Sequence, residues 1–209
     1  MDKIFQRVCK GLTYTTPEGL LTEIMADAEV LLRSQGSCGF SSARRKHILE
    51  TLQAGYLGFM VKHISGVHAE VTVAVKELDD FDCVLKGIAE GQTVYRPVQL
   101  KQIPPKEFNP GDVSLDQILD DLKKYTSSPE LIISIWINRD ILIDLSEINV
   151  SGLTIQQLWI VGDRPDGAVE IHGGTIADWL EGLCWEGTMH KGRPSVRQIR
   201  FCTRARTRG

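Results

Sequence analysis

The sequence predicts an α/β protein whose mixed central sheet is flanked by helices. Three observations lead to this fold class. Apolar residues recur at helical spacing between residues 17 and 57. Short runs rich in β-branched residues follow between residues 71 and 103. Leu131–Ile137, the most hydrophobic run of the chain, comes after another helical pattern, so we expect a central strand with a parallel neighbour.

Composition indicates a globular protein with a substantial core. The chain has 209 residues, of which 42% are hydrophobic and 24% charged, and it contains no repeat or low-complexity linker, so we expect a single domain over residues 1–209. No stretch is apolar for long enough to span a membrane, and Met1–Arg7 lacks the apolar core of a signal peptide. The five cysteines are scattered without a Cys-x-x-Cys pair, which favours reduced thiols in a cytoplasmic protein and argues against a zinc ribbon.

Charge is distributed unevenly along the chain. From Gly187 onwards there are seven basic residues and no acidic one, whereas the first 186 residues contain 17 basic and 27 acidic residues. The body is therefore acidic and the C-terminal tail basic. Such a tail can contact phosphates, remain in solvent or pack onto the acidic body, and the sequence leaves these alternatives open.

The N-terminal third reads as helical. A short helix within the first sixteen residues precedes a longer one that begins with Thr16 as N-cap and Pro17 at the first position, and that ends near Ser34. A further helix begins at Ser41 or Ser42, with the basic residues Arg44, Arg45 and Lys46 near its start. Basic residues oppose the helix dipole there, so they need a local carboxylate or an external anion. Glu50 lies later in this helix, beside its apolar positions.

Three strands should follow. Val71–Lys76 and Phe81–Lys86 have the pattern of an antiparallel hairpin. Gly87–Gln92 reads as a loop, and Thr93–Ile103 as the third strand. Pro97 within it indicates that its first half is an edge or a bulge.

The remaining chain supplies further helices and strands. Ser114 is expected to cap a helix that precedes the hydrophobic strand. Beyond that strand, the predicted elements are a strand over Gln156–Gly162, a turn over Asp163–Gly167, a strand over Ala168–His172, and a helix over Thr175–Leu183 with Trp179 and Leu183 facing inward.

Polar residues on two neighbouring predicted strands form the candidate site. Asp82 lies in the second strand, and Gln99 and Lys101 share one face of the third because side chains alternate along a strand. A carboxylate, an amide oxygen and a lysine on adjacent strands can hold a divalent cation and activate water beside a phosphate. The alternative is an ordinary sheet with a polar face.

These residues and the element order resemble the PD-(D/E)XK nuclease core, and the Gln-x-Lys form is similar to the Mrr-like branch of restriction endonucleases. The resemblance covers roughly residues 41–137. It implies a restriction-endonuclease-like core preceded by an N-terminal helical segment over residues 1–40. Residues 138–209 would be a C-terminal elaboration that ends in the basic tail.

The resemblance implies a nuclease that cleaves DNA with Mg²⁺ or Mn²⁺, and a homodimer that cuts two strands. Asp82 matches the first metal-binding acid, Gln99 the second ligand and Lys101 the catalytic lysine. Glu50 matches an optional acid on the preceding helix. Because Gln99 is neutral, metal binding would depend on a contribution from Glu50 or Glu70.

A second hypothesis is a non-catalytic, protein-binding or regulatory protein on the same or another α/β core, in which Gln99 and Lys101 only form hydrogen bonds. Other candidate sites are weaker. His63 and His68 are five residues apart, a spacing that suits neither a helical nor a strand metal pair. His172–Thr175 could bind an anion, but the pattern favours a loop with Thr175 as a helix N-cap.

Overall fold

The computed structural model describes residues 3–35, 42–64, 70–78, 81–106, 111, 113–125, 128–139, 141, 143–190 and 193–200. The chain forms two compact units, Met1–Leu100 and Lys101–Gly209. Both contain helices and strands, and the eight described strands pair in a mixed fashion, so the predicted α/β class with a mixed sheet flanked by helices is confirmed. None of the described helices is long and apolar enough to cross a membrane.

In the first unit, helices come before strands. The elements described there are α1 (Lys3–Lys10), α2 (Pro17–Gln35), α3 (Ser42–Ile64), β1 (Thr72–Leu78), β2 (Phe81–Ala89) and β3 (Gln92–Ile103), and the unit boundary falls within β3. The predicted start of α2 is confirmed, because the Gly19 N–H donates to Thr16 Oγ1 at 3.1 Å.

Two glycines bring α3 close to its neighbours in the first unit. A Cβ atom at Gly55 would lie 2.7 Å from Leu21 Cδ2 on α2, and one at Gly58 would lie 2.5 Å from Val73 Cγ2 on β1. Leu21 and Val73 are both buried. The absence of side chains at these two positions therefore sets the distance of α3 from both α2 and β1.

The hairpin between β2 and β3 is tighter than the sequence predicts. The antiparallel ladder begins at the Ala89–Gln92 pair, so the loop predicted over Gly87–Gln92 is wrong. The turn consists of Glu90 and Gly91, with φ values of 51° and 73°. Two central residues with positive φ match the right-handed twist of the strands, so β2 can continue up to the turn.

The ladder between β2 and β3 continues without a break past Pro97. Pro97 pairs with Val84 and the register does not shift, so of the two alternatives, an edge or a bulge, the bulge is wrong. The last ladder pair is Cys83 with Val98. Asp82 comes directly before Cys83 on β2, and Gln99 comes directly after Val98 on β3.

The second unit carries most of the sheet. Its described elements are α4 (Leu115–Leu122), β4 (Ser128–Ile137), a 3₁₀ turn (Leu145–Glu147), β5 (Ile155–Asp163), β6 (Val169–Thr175), α5 (Ile176–Leu180), β7 (Leu183–His190) and β8 (Arg193–Arg200). From β4 to β8, the order in the sheet is the order in the chain. β4 pairs in parallel with β5, and the later pairs are antiparallel. Ser114 forms a capping box with Gln117, as expected of an N-cap.

The core of the second unit packs the helices against one face of these strands. Ile133 and Leu158 are fully buried, and Trp179 of α5 joins the same cluster. The Trp179 Nε1–H donates to the Leu158 carbonyl at 3.1 Å, so the indole buries its one polar group with a partner.

The C-terminal region differs from the prediction. The helix expected over Thr175–Leu183 ends at Leu180, because Gly182 has a positive φ of 70° and the chain turns into β7. Leu183 therefore begins a strand and does not face inward from a helix. The sequence also treats 193–200 as part of a basic tail, whereas these residues form β8; residues 201–209 lie outside the described part of the chain.

Candidate functional site

Asp82 lies where the β2–β3 ladder ends. Its side chain is half-buried, and its Oδ2 accepts a hydrogen bond from the Leu100 N–H at 2.7 Å. A charge-assisted bond of this length fixes the orientation of the carboxylate. A second oxygen remains on the carboxylate, and each carboxylate oxygen can accept more than one bond or bind a cation.

Gln99 and Lys101 both belong to β3. Val98 and Leu100 are buried, whereas Gln99 and Lys101 are half-buried, so the predicted alternation along this strand is confirmed. Gln99 comes directly after the ladder residue Val98, as Asp82 comes directly before Cys83 on β2. Lys101 is the first residue of the second unit.

Glu50 acts on Cys83, the residue that follows Asp82 on β2. Burial raises the pKa of the Cys83 thiol, and the Asp82 and Glu50 carboxylates raise it further. Cys83 is buried whereas the preceding Asp82 is half-buried, so their side chains lie on opposite faces of β2, and the effect on the thiol does not by itself bring the two carboxylates together. Glu50 itself is on α3 with its side chain 17% exposed, and Lys46 Nζ lies 3.6 Å from its Oε1.

The basic residues at the start of α3 have at least one local partner. From the sequence we expected Arg44, Arg45 and Lys46 to have either a local carboxylate or an external anion as a partner, because basic residues near a helix N-terminus oppose its dipole. The Lys46–Glu50 pair supplies the local carboxylate for one of them. Because Lys46 is half in solvent, with 54% of its side chain exposed, this pair is screened and holds Glu50 only weakly.

The donor set suits a hard divalent cation. Asp82, Glu50 and Gln99 offer oxygen atoms, which Mg²⁺ and Mn²⁺ prefer. Among the residues that the structure describes, no three or more His, Cys, Asp or Glu side chains are grouped so that they could hold a metal ion. A cation at this site would therefore use two carboxylates, an amide and solvent or phosphate oxygens, a sparse protein shell of the kind that Mg²⁺ accepts.

The other sequence candidates have structural roles where they are described. His63 Nδ1 is 2.8 Å from the Phe59 carbonyl oxygen within α3, and its ring stacks on the Phe59 ring. His68 lies outside the described residues. Thr175 is the N-cap of α5 and forms a capping box with Asp178, as expected, but residues 172–174 belong to β6 and are not a loop. Trp136, Trp159 and Trp179 are buried, whereas Trp185 is half-buried.

Comparison with known proteins gives no assignment. No protein-family model matches the sequence. A search of curated proteins likewise finds no significant match.

Proposed function

We propose that the chain is a metal-dependent nuclease that cleaves DNA phosphodiester bonds on a restriction-endonuclease-like core. The observation that carries this proposal is the setting of Asp82. Its carboxylate accepts a hydrogen bond from the N–H of Leu100, the residue between Gln99 and Lys101 on β3. An acid, an amide and a lysine on neighbouring strands are a group that could hold a divalent cation and act on a phosphodiester.

Each residue has a defined role in this proposal. Asp82, Gln99 and Glu50 would hold Mg²⁺ or Mn²⁺. When bound, the cation would supply Lewis-acid polarisation of a phosphate and an activated water. Lys101 would offset the negative charge that develops on the phosphate in the transition state. The hydrogen bond from Leu100 prepares Asp82 for this task, because its carboxylate need not reorient when the substrate binds.

The proposal includes a cytoplasmic protein that acts as a homodimer on duplex DNA. The described cysteines Cys9, Cys83 and Cys184 are free thiols, which supports a reducing compartment. A second copy would supply a second site for the opposite strand. The positive charge of Arg197 and Arg200 on β8 would contribute to phosphate binding.

The test is cleavage of supercoiled and single-stranded DNA with Mg²⁺ or Mn²⁺. We expect Asp82→Asn and Lys101→Met to lower the cleavage rate at least about a hundredfold, the usual cost of removing one group that stabilises transition-state charge. Asp82→Asn keeps an oxygen that accepts from the Leu100 N–H, so it removes charge with little change in the strand. Asp120→Asn and Lys123→Met are matched controls, because these two exposed side chains, on and next to α4, pair with each other at 2.6 Å.

Two results would contradict the proposal. One is an absence of metal-dependent cleavage of any DNA by the folded wild-type protein. The other is cleavage that survives unchanged in both Asp82→Asn and Lys101→Met, which would indicate a contaminating nuclease. Either result would favour the non-catalytic alternative, in which the polar groups of β2 and β3 only form hydrogen bonds.

A further inference from the structure

The exposed side of α1 carries a row of cations that the proposed nuclease site does not use. Lys3, Arg7 and Lys10 are all exposed. Because they are four and three residues apart, they lie on one side of the helix, in a row about 10 Å long. None of the three side chains has an ion-pair partner among the residues that the structure describes.

This row is a local excess of positive charge in a protein whose formal net charge is −3. The sequence from Lys3 to Pro17 contains three basic residues and no acidic one. Glu18, the first acid that follows, is paired with Lys62 at 2.6 Å. Because no carboxylate within the segment offsets these cations, they create a positive potential that attracts an external polyanion.

The buried side of α1 is fixed to the strand that carries Asp82. Cys9 is fully buried, and it belongs to one apolar cluster with Phe5 of α1 and Phe81 of β2. The Phe5 and Phe81 rings meet edge to face, with their centroids 5.3 Å apart. Phe81 directly precedes Asp82 on β2. A helix held in this way presents its cations in a defined place, so less entropy is lost when a ligand binds them.

A fourth cation lies near the C-terminal end of α1. The Tyr14 hydroxyl donates to the Cys9 carbonyl oxygen at 3.0 Å, so the tyrosine is tied to the last turn of the helix. Lys86 Nζ on β2 lies 5.3 Å from the centroid of the Tyr14 ring, a cation–π contact that holds the ammonium group there. Positive charge therefore extends from α1 onto the strand that carries Asp82.

A nucleic-acid backbone suits this row of cations better than a membrane surface does. An interfacial helix needs a broad apolar side that enters the lipid. The one aromatic residue of α1, Phe5, packs against β2, and only the aliphatic Ile4 and Val8 are exposed, at 72% and 39%. Each DNA strand instead carries one phosphate per about 3.4 Å of axis, so a row about 10 Å long spans about three phosphates.

We propose that Lys3, Arg7 and Lys10 bind the phosphate backbone of the DNA on which the protein acts. This inference rests on the proposed nuclease function, because it is the position of Asp82 beside Phe81 that makes DNA the ligand. The contacts are to phosphates, so the row positions a strand at the end of β2 that carries Asp82 without selecting a base sequence.

The test is the binding of a fluorescently labelled DNA duplex to the full chain, followed by anisotropy at several salt concentrations. Divalent metal is left out so that binding is measured apart from cleavage. We expect the triple variant Lys3→Gln, Arg7→Gln, Lys10→Gln to bind at least about tenfold more weakly at about 0.1 M salt. The slope of log affinity against log salt should fall by about 2.7, which is about 0.9 for each lost phosphate contact.

A second triple variant, Arg33→Gln, Lys123→Gln, Lys124→Gln, is the matched control. It removes the same three charges at exposed positions on other elements, so its net charge equals that of the α1 variant. We expect its affinity and salt slope to stay close to those of wild type. Thermal melting separates a structural role, because Arg7 and Lys10 lie in the last turn of α1, where cations favour the helix dipole. Loss of that effect alone would lower the melting temperature without changing the salt slope.

Three results would overturn the proposal. The first is an absence of DNA binding by the folded wild-type protein, and the second is an equal loss of binding in the α1 variant and the control. The third is a folded α1 variant that binds DNA as wild type does but no longer binds vesicles containing phosphatidylserine, which would assign the row to a membrane surface.

Failure of this proposal and failure of the nuclease proposal give different results. Weaker DNA binding by the α1 variant, with no metal-dependent cleavage by wild type, would support the phosphate contacts and contradict the nuclease. Cleavage by wild type, with DNA binding unchanged in the α1 variant, would support the nuclease and contradict the phosphate contacts.

Discussion

Gly173 on β6 is a position where one added methyl group should destabilise the fold. Gly173 pairs with Trp159 across the β5–β6 ladder, and the indole lies over the glycine. A Cβ atom at this position would lie 2.4 Å from both Cδ2 and Cε3 of Trp159, and 2.6 Å from the Leu158 carbonyl oxygen. Cβ atoms in proteins essentially never approach other atoms so closely. Gly173→Ala therefore requires the ring or the backbone to move.

The size of the destabilisation depends on how far the Trp159 ring must move. To reach ordinary contact it would move by about 1 Å, but Trp159 is only 2% exposed and its Nε1–H is bound to Gln157 Oε1 at 3.0 Å. The Leu158 carbonyl is also held, because it accepts from Trp179 Nε1. Because both the Trp159 ring and the Leu158 carbonyl are held in place, we expect a loss of about 2–3 kcal/mol in the free energy of unfolding. For a chain of this length that loss lowers the melting temperature by roughly 5–10 °C.

Urea unfolding of Gly173→Ala, Trp159→Leu and the double variant measures this effect. If the clash with the indole is the cause, Gly173→Ala should cost at least about 1 kcal/mol less in the Trp159→Leu background. Gly162→Ala on β5 is the control, because a Cβ there meets nothing within 4 Å. The reasoning fails if Gly173→Ala changes the free energy of unfolding by less than about 0.5 kcal/mol, or if the two substitutions are additive.

Three further predictions concern packing and pH. Gly58→Ala should cost about 1–3 kcal/mol in urea unfolding, because its Cβ would lie 2.5 Å from the buried Val73; full stability would contradict this contact. Burial raises the pKa of the Cys184 thiol from 9.0 to about 12, so the unfolded chain ionises first and stability should fall as pH rises from about 9 towards 12. Cys184→Ala should make the free energy of unfolding less sensitive to pH in this range. A pH profile identical to that of wild type would contradict this role of the Cys184 thiol. Glu18 is partly buried, which opposes ionisation, but Lys62 at 2.6 Å lowers its pKa overall. Glu18→Gln should therefore cost up to about 1 kcal/mol at pH 7 and progressively less as pH falls below the ordinary carboxyl value of 4.5, and a cost that does not change with pH would exclude the ion pair as its source.

Local chemistry made several elements predictable from sequence. Thr16 and Ser114 cap helices because their hydroxyl oxygens reach N–H groups within the same turn, an interaction that nearby residues decide alone. The burial of Val98 and Leu100 on either side of Gln99 could also be predicted, because successive side chains of a strand point to opposite faces. The candidate site benefited from this, since three of its residues lie on the two strands where the pattern is regular.

Long-range pairing explains what the sequence did not reveal. β8 contains Arg193, Arg197 and Arg200 and has little apolar alternation, so it reads as a solvated tail. It is a strand because β7 pairs with it, with Arg197 Nη2 2.8 Å from Glu186 Oε1 in the paired register. The closeness of Glu50 to Cys83 is equally invisible in sequence, because it depends on how α3 lies against the strands.

The two-residue turn at Glu90 and Gly91 has a consequence for the order of folding. It joins β2 and β3 through contacts between residues close in sequence, and such contacts have a low entropic cost of loop closure. The parallel pair β4 and β5 instead requires closure of the whole connection from Ile137 to Ile155. We therefore expect amide protection in a refolding hydrogen-exchange pulse to arise in the hairpin that carries Asp82 before it arises in β4 and β5.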